Sequence, residues 1–215
     1  MSEFAVSRPG DRARFAPSIR EMHKLRADVF ADRLNWDVTC INGQERDQFD
    51  DLDPSYIMHS DASGRVDASC RLLPTTGSYM LKDVFPQLMG GREPPNDEHI
   101  WEVSRFAVMP PDQSDCGLGS LHRITQDLLI QLLAVGLANN LTAIVTVTEV
   151  RFERVLHRAG LTTHRFHKSM RIGSSNAVAG QTPVTIENLA RLIRRRDELF
   201  GQENTSTGES RRVAA

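Results

Sequence analysis

The sequence predicts an α/β (α+β) fold in which a single domain contains one mixed β-sheet sandwiched by helices. Strand patterns come first along the chain, and strand and helix patterns alternate afterwards, which is typical of a mixed sheet covered by helices. The 215 residues, 40% of them apolar, are enough for one substantial core. We expect the domain to span residues 1–200. A disordered tail is expected over residues 201–215, which are rich in Ser, Thr, Gly, Glu and Arg.

The composition argues against several classes of protein. The 26 basic and 28 acidic residues give a net charge of -2 and are spread along the chain, so neither nucleic acid nor a membrane is an expected partner. No segment approaches the roughly 20 apolar residues that cross a bilayer. Three widely spaced cysteines, Cys40, Cys70 and Cys116, indicate buried, reduced thiols in a cytoplasmic protein. The histidines have no metal-ligand spacing, so no metal site is predicted.

Hydrophobic periodicity predicts a helix, a long loop and a hairpin in the first third of the chain. Apolar residues recur every three or four positions from Ser18 to Leu34, which is typical of an amphipathic helix. Residues 35–53 are polar, acidic and aromatic by turns, and they are interpreted as a functional or substrate-covering loop. Two strands, Tyr56–His59 and Arg65–Leu73, flank a turn sequence and predict a hairpin.

Strand and helix patterns then alternate to the end of the domain. Ile100–Val108 is a strong strand pattern. The remaining predicted elements are a helix from about Gly119 to Ala138, a strand over Ala143–Thr148, a helix over Phe152–Ala159, a final strand over Phe166–Ile172 and a helix over Ile186–Phe200.

Five carboxylates are crowded into the long loop: Glu45, Asp47, Asp50, Asp51 and Asp53. Solvation is one interpretation, and a calcium loop fits less well because the central Gly and the closing Glu are missing. The alternative is a network in which loop aspartates pair with arginines and orient the ammonium and carboxylate of an amino acid. The pairs would join Asp47 and Asp50 to Arg26 and Arg71.

Two predicted strands contain charged residues that need partners. Arg71 lies opposite the apolar face of its strand, so it is expected to face water or a ligand. Glu102 and Arg105 lie within an apolar strand, where unpaired charge is costly to bury. An ideal pleat puts these two on opposite faces, so joint action would require a bulge or a strand end between them. A purely structural ion pair is the alternative.

Two further motifs are less specific. Gly117 and Gly119 precede a predicted helix, where free amide groups can hold a phosphate, although two such glycines are commonly an ordinary turn. Phe30 and Trp36 are either core aromatics or ring faces for a cationic ligand.

Taken in order, these segments resemble the acyl-homoserine-lactone synthases, also called autoinducer synthases. The resemblance is strong from about Glu21 to Val108 and weaker through Val145–Thr148 and Arg158–Leu161. One departure is Val66-Asp67-Ala68, where the family usually has Val-Val-Gly. The segments that carry the resemblance are Leu25–Phe30, Trp36–Val38, Glu45–Asp50, Arg71–Gly77, Tyr79–Leu81 and Trp101–Phe106.

The resemblance implies a fold similar to that of the coenzyme A-dependent N-acetyltransferases, with a sheet splayed by a bulge to admit a thioester arm. It implies an acyltransferase that makes a quorum-sensing signal by N-acylating S-adenosylmethionine and closing a lactone, with release of methylthioadenosine. The donor would be acyl carrier protein, or in some members acyl coenzyme A. S-adenosylmethionine and the acyl thioester would be substrates, and no cofactor is implied.

The resemblance also implies roles for residues. Glu102 is the candidate base, with Arg71 and Arg105 beside it as further catalytic candidates. The residues implied to bind S-adenosylmethionine are Arg26, Phe30, Trp36, Asp47, Asp50, Ser104 and Phe106. The acyl-chain candidates are Met80, Trp101, Val145 and Thr148. The Thr148 hydroxyl can donate to an oxygen at the third acyl carbon, which hints at a 3-oxo chain.

Two other functions compete with this interpretation. An amine N-acetyltransferase would share the fold and the Gly117–Gly119 loop, but it would not account for the acidic loop with Trp36. A non-catalytic binding module would give no reason for Glu102, Arg71 and Arg26 to occur together.

Overall fold

The computed structural model describes residues 3–109, 121–173 and 175–201, and its centre is a mixed sheet of eight strands. These strands are β1 (Glu3–Ser7), β4 (Ser55–Ser60), β5 (Val66–Pro74), β6 (Ile100–Val108), β7 (Ala143–Glu149), β8 (His164–Arg165), β9 (Met170–Ile172) and β10 (Ser175–Pro183). A separate small hairpin joins β2 (Cys40–Ile41) to β3 (Gln44–Glu45). The spatial order in the main sheet is β1-β4-β5-β6-β7-β10-β8, and β9 also pairs with β10.

Helices cover both faces of the sheet. The α-helices are α1 (Ala16–Arg26), α2 (Met80–Asp83), α3 (Arg123–Ala138), α4 (Val150–Arg158) and α5 (Ile186–Phe200). A π-helical segment, Ala27–Arg33, prolongs α1, and two short 3-10 helices span Gln48–Leu52 and Pro86–Met89. The first predicted helix is therefore confirmed. Its change from α-helical to π-helical hydrogen bonding after Arg26 is a local feature that hydrophobic periodicity does not predict.

The apolar side chains divide between the two faces. On one face, α3 packs on β4 and β5 and α5 packs on α3, and this cluster buries Leu128, Leu132 and Leu192. On the other, α1 packs Met22 and Leu25 on the sheet, and α2 with its neighbours covers a second cluster. Both faces of β5 are thus covered, which is why Arg71 is fully buried although its strand pattern predicted that it would face water or a ligand.

The sheet opens between β6 and β7. These neighbours are parallel, and they pair only from Ile100↔Ala143 to Glu102↔Val145, although β6 continues for six more residues and β7 for four. Beside the opening, the β5–β6 register shifts between Ser69 and Arg71. A bulge, which the sequence made the condition for joint action of Glu102 and Arg105, is therefore present in β6 at Arg105.

The hairpin of β4 and β5, the strand β7 and the C-terminal helix are confirmed, and the final strand is placed wrongly. The predicted strand Phe166–Ile172 is reduced to Met170–Ile172, and β10 follows it. Its sequence, Ser-Asn-Ala-Val-Ala-Gly-Gln-Thr-Pro, has few of the branched or aromatic residues that mark strands. Small residues are needed there because a Cβ at Gly180 would lie 2.5 Å from the Thr163 Cγ2 atom.

The structure tests some of the remaining predictions, and others concern residues that it does not describe. Cys70 is buried as predicted, whereas the prediction that Cys40 is buried is wrong, because Cys40 lies in β2, whose two residues are both exposed. Cys116, the Gly117–Gly119 motif and the predicted start of the long helix lie outside the described residues, as does the tail from residue 202. Within the described part of the chain, no helix is long and apolar enough to cross a bilayer.

Candidate active site

Three arginines and three carboxylates meet on the face of the sheet that α1 and the acidic loop cover. Arg26 ends α1, Arg71 lies in β5 and Arg105 lies in β6. The loop supplies the carboxylates Glu45, Asp47 and Asp50. The charge network that the sequence suggested between Asp47 and Asp50 and two arginines therefore exists, with Glu45 and Arg105 as additional members.

Arg26 is fully buried and all three of its guanidinium nitrogens are paired. Nη1 and Nη2 each donate to one oxygen of Asp50 at 2.8 Å, and Nε donates to Glu45 Oε2 at 2.5 Å. This two-pronged geometry is the strongest form of arginine–carboxylate pairing. Arg26 thus orients the two carboxylates that its neighbours also use.

Arg71 connects the loop to β6. Its Nη1 donates to Asp47 at 2.5 Å and to Asp50 at 3.0 Å, and its Nε donates to the Ser104 hydroxyl at 3.1 Å. The guanidinium also lies 5.4 Å from the centre of the Phe49 ring. Arg71 is therefore held from two sides and cannot turn without breaking several hydrogen bonds.

Arg105 adopts a left-handed backbone conformation, with φ of 53°. Nε donates to Glu45 at 3.1 Å, and Nη2 lies 2.7 Å from Asp47. The guanidinium carbon is 5.7 Å from the centre of the Phe30 ring. The side chains of Arg105 and Asp47 are 12% and 17% exposed, against 1% or less for the other four members, so a ligand would reach the cluster through these two.

Local backbone geometry fixes the aspartates. Asp47 caps the 3-10 helix by accepting from the Phe49 N–H, and Asp50 accepts from the Asp47 N–H. The Tyr56 hydroxyl donates to Asp50 at 2.7 Å. Burial by itself would raise the pKa of Asp50, but its hydrogen bonds to Arg26 and the charges of Arg26 and Arg71 outweigh burial and hold the pKa well below its usual range.

Glu102 lies on the same face of β6 as Ser104, at the point where β6 and β7 separate. It is 1% exposed and accepts backbone hydrogen bonds from Met80 at 2.9 Å and Leu81 at 2.7 Å. Burial raises its pKa to about 7, although the two N–H groups and the nearby arginines favour the charged form. The carboxylate keeps further lone pairs for a proton or a water molecule.

An aromatic pair flanks the cluster. The rings of Phe30 and Trp36 are stacked, with centres 5.2 Å apart and planes 3° from parallel. The Trp36 indole N–H donates to Glu149 at 3.1 Å, across the opening of the sheet. Glu45, Tyr56 and Glu149 are the site residues that sequence reasoning missed. For Glu45, its place in the acidic loop was a signal, whereas Tyr56 and Glu149 resemble ordinary strand residues.

The remaining predicted residues do not share one surface. Phe106 points away from the charged cluster and packs against Phe152, with ring centres 5.2 Å apart. Met80 and Val145 lie on the side of Glu102. Trp101 packs in the opposite core with Ile144, and the alternation along β7 places Thr148 on that side too. The four acyl-chain candidates therefore lie on both sides of the opening.

A cluster of potential metal ligands is absent from the described ranges. Within residues 3–109, 121–173 and 175–201, no group of three or more His, Cys, Asp or Glu side chains is arranged to hold a metal ion.

Known proteins resemble the chain over most of its length. The family model described as autoinducer synthase matches residues 12–192. A probable acyl-homoserine-lactone synthase of Sinorhizobium fredii is 38% identical over 89% of this chain and 92% of its own length. An acyl-homoserine-lactone synthase of Pseudomonas aeruginosa is 42% identical over 74% of this chain and 79% of its own.

Solved structures agree with this likeness. The crystal structure of the synthase LasI has a TM-score of 0.78 and 37% identity, covering 89% of this chain and 94% of that one. The coenzyme A-dependent synthase BjaI, solved with SAM and isopentyl-CoA, shares the fold with a TM-score of 0.81 at 22% identity, over 91% and 90% of the two chains.

The predicted likeness to acetyltransferases is confirmed for the fold. A putative N-acetyltransferase from Lactobacillus plantarum has a TM-score of 0.56 at 14% identity, covering 86% of this chain and 99% of that one. The match of the family model and the identity to the synthases, over most of the chain, go further than fold. The chain therefore belongs to the autoinducer synthase family.

Proposed function

We propose that this protein is an acyl-homoserine-lactone synthase, which N-acylates S-adenosylmethionine from an acyl thioester and closes the lactone with release of methylthioadenosine. Its similarity to proteins described as acyl-homoserine-lactone synthases supports this reaction. The observation that carries the proposal is the position of Glu102, a buried carboxylate with a raised pKa on the same face of β6 as the arginine–carboxylate cluster. Such a group can hold a proton at one stage of a reaction and release it at another.

The charges of the site complement the proposed substrate. The three arginines of the cluster and the four carboxylates, Glu102 included, together carry one net negative charge when all are ionised. S-adenosylmethionine has a sulfonium, an ammonium and a carboxylate, so it carries one net positive charge. Arg105 and Asp47 are its proposed first partners, because they are the accessible members of the cluster.

In the first step, the ammonium of S-adenosylmethionine must lose a proton before its nitrogen attacks the thioester carbonyl. Glu102 is the proposed base, acting directly or through water, and its pKa of about 7 suits proton transfer near neutral pH. The new C–N bond forms the amide while the C–S bond of the thioester breaks. The departing thiolate takes up a proton and leaves as the free thiol of the carrier.

In the second step, the carboxylate of the same substrate attacks its own carbon next to the sulfonium. The C–O bond closes the lactone and the C–S bond breaks, so the sulfonium leaves as neutral methylthioadenosine. No protein nucleophile is required, and the contribution of the protein is to hold the two reacting ends together. Arg105 is proposed to orient the carboxylate and Asp47 the amine, while the fully buried Arg71 holds Asp47 in place.

The other binding candidates have supporting roles in this proposal. Arg26 and Asp50 are fully buried and hold the cluster in place. Ser104 fixes Arg71 through its hydroxyl. Phe30 and Trp36 form the proposed wall for the sulfonium and adenosine, since aromatic faces attract cations.

The acyl chain is proposed to pass through the opening between β6 and β7. Met80 and Val145 lie on the side of Glu102, and Trp101 and Thr148 lie on the other side. An acyl chain whose thioester carbonyl lies beside Glu102 would therefore contact Met80 and Val145 first, and Trp101 and Thr148 further along. Phe106, on the far side with Phe152, would belong to the acyl chain instead of S-adenosylmethionine.

The proposed donor is acyl carrier protein, with coenzyme A as the alternative. The exposed face of α4, which begins where β7 ends, carries Arg151, Arg154 and Arg158. A basic face favours an acidic carrier protein through electrostatic steering. Coenzyme A is also anionic, and BjaI is described as coenzyme A-dependent. A cytoplasmic location stays a prediction.

The test is to incubate the purified protein with S-adenosylmethionine and matched acyl thioesters of carrier protein and coenzyme A, and to detect products by mass spectrometry. Methylthioadenosine and an acyl-homoserine lactone together would support the proposal and identify both chain and carrier. Acyl transfer to other amines without either product would favour an ordinary N-acetyltransferase. A folded protein that is inert with every donor would contradict the proposal.

A further inference from the structure

We propose that Glu149 is a positioning residue that holds Trp36 in its stacked place across the opening of the sheet and so shapes the S-adenosylmethionine site. The effect on that substrate rests on the proposed function, whereas the hold on Trp36 does not. Glu149 ends β7, and its carboxylate accepts hydrogen bonds from the Trp36 indole N–H at 3.1 Å and from the Ser175 hydroxyl.

The position of Glu149 makes this bond a bridge between the two sides of the opening. β6 and β7 stop pairing at Glu102 and Val145. Glu149 is four residues beyond Val145, so alternation places it on the same face as Val145, about 13 Å further along the strand. Trp36 belongs to the other side of the opening, because it stacks on Phe30, which lies under Arg105 of β6.

Among the described residues, a side-chain pair spans the opening on each of its faces. On the far face, Phe106 of β6 packs on Phe152 of α4. On the site face, Trp36 is bonded to Glu149, which Ser175 of β10 holds in turn. The contact between Phe106 and Phe152 is apolar and tolerates small shifts of the rings. The hydrogen bond between Trp36 and Glu149 is directional, because the indole has a single N–H donor and the carboxylate accepts it along a lone pair.

The hydrogen bond to Glu149 fixes where the Trp36 ring lies on the Phe30 ring. Phe30 is 2% exposed and is fixed by burial beside Met22 and Leu25 of α1. Trp36 is only partly buried, and it follows Asn35, whose φ is 51°. Stacking on one face leaves a ring free to slide, and the hydrogen bond to Glu149 removes that freedom. Glu149 thus acts through Trp36, and it need not touch the substrate.

The experiment combines spectroscopy with kinetics. The chain has two tryptophans, so Trp101→Phe leaves Trp36 as the single tryptophan, which can be excited at wavelengths that tyrosine does not absorb. In that background, Glu149→Ala is expected to shift the Trp36 emission to longer wavelength and to increase its quenching by acrylamide. Glu149→Gln keeps an oxygen that accepts the indole N–H and is expected to restore both. Ser175→Ala, which removes the second partner of Glu149, is expected to give a smaller shift in the same direction.

In otherwise wild-type protein, Glu149→Ala should raise KM for S-adenosylmethionine roughly tenfold, the value of one hydrogen bond to a charged group, with kcat changed less than about twofold. Glu149→Gln should stay near wild type. Glu93→Ala, at an exposed glutamate away from the site, is the matched control and should change neither quantity.

The outcomes separate this proposal from the proposed function. Unchanged Trp36 emission in both Glu149→Ala and Ser175→Ala would overturn the hold on Trp36. A Gln variant as impaired as the Ala variant would overturn a positioning role, because it would show that the charge itself is needed. If the wild-type protein released no methylthioadenosine with any donor, the proposed function would fail, while the fluorescence results would still decide whether Glu149 holds Trp36.

Discussion

Glu102 and Arg105 lie on the same face of β6 although they are three residues apart, because Arg105 turns into a left-handed conformation with φ of 53°. A regular strand would send them to opposite faces. A non-glycine residue in this region costs energy, of order 1–3 kcal/mol, and such strain is found where function requires a particular orientation. The bulge therefore brings the candidate base and the charged cluster to one face of β6, beside the opening between β6 and β7.

Glu102→Gln should leave a folded protein that has lost at least about a hundredfold in kcat, the usual contribution of a general base. Glutamine keeps the size of the side chain and can still accept one of the two backbone hydrogen bonds, but it cannot take up a proton. The rate of methylthioadenosine release measures the loss, and thermal melting checks the fold. Wild-type turnover in a folded variant would refute Glu102 as the base.

The reaction should depend on pH through Glu102. Burial raises the pKa of its carboxyl to about 7, so the basic form is lost as pH falls below 7 and gained as pH rises above it. We expect kcat/KM to rise with pH through about 7 and then level off. Methylthioadenosine is the product to follow, since the lactone itself hydrolyses in alkali. The same inflection in the residual activity of Glu102→Gln would assign it to another group.

Arg71→Ala should abolish activity mainly through loss of substrate orientation. Its guanidinium joins Asp47, Asp50 and Ser104. Removing one partner of a buried charge network costs about 3–5 kcal/mol of folding free energy, so urea unfolding must accompany the assay. Lys24→Ala, at an exposed pair on α1, is the control and should cost less than about 1 kcal/mol. A fully active, stable Arg71→Ala protein would contradict the proposed site.

His23 should make the protein less stable at mildly acidic pH. It is buried, and burial first and the charge of Arg26 second lower its pKa to about 4. Between pH 6.5 and about 4 the unfolded chain binds a proton that the folded protein does not, so stability falls as pH falls through this window, by on the order of 3 kcal/mol.

The comparison for this prediction is His23→Gln, which keeps a donor for the Glu45 carbonyl without a titrating ring. Glu102 shifts stability in the opposite direction between pH 4.5 and 7, but it is common to both proteins and cancels in the difference. Parallel pH profiles of the unfolding free energy would show that His23 does not contribute.

Thr148→Val should reduce any preference for a 3-oxo acyl chain over the unsubstituted chain, by about fivefold if one neutral hydrogen bond is lost. The two side chains have nearly the same shape, so overall turnover with the unsubstituted chain should change little. Competition between the two thioesters, read by mass spectrometry, measures the ratio. An unchanged ratio would remove Thr148 from the acyl-chain site.

The sequence by itself determined the fold class, most elements and the family, because these depend on local patterns and on blocks of residues in a fixed order. The periodicity of α1, the alternation of β5 and the apolar run of β6 are each set within a few neighbours along the chain. That joint action of Glu102 and Arg105 depends on a bulge could also be deduced, since the pleat fixes which residues share a face.

Only the tertiary structure decided which charges meet and which faces are covered. Arg71 is buried because α1 and the acidic loop cover the second face of β5, and strand alternation carries no information about what lies on that face. β10 becomes a strand because β7 and β8 pair with it on either side, which compensates for its weak propensity. Glu149 meets Trp36 across 113 positions of sequence, so no local pattern could have joined them, and only the packed chain brings donor and acceptor together.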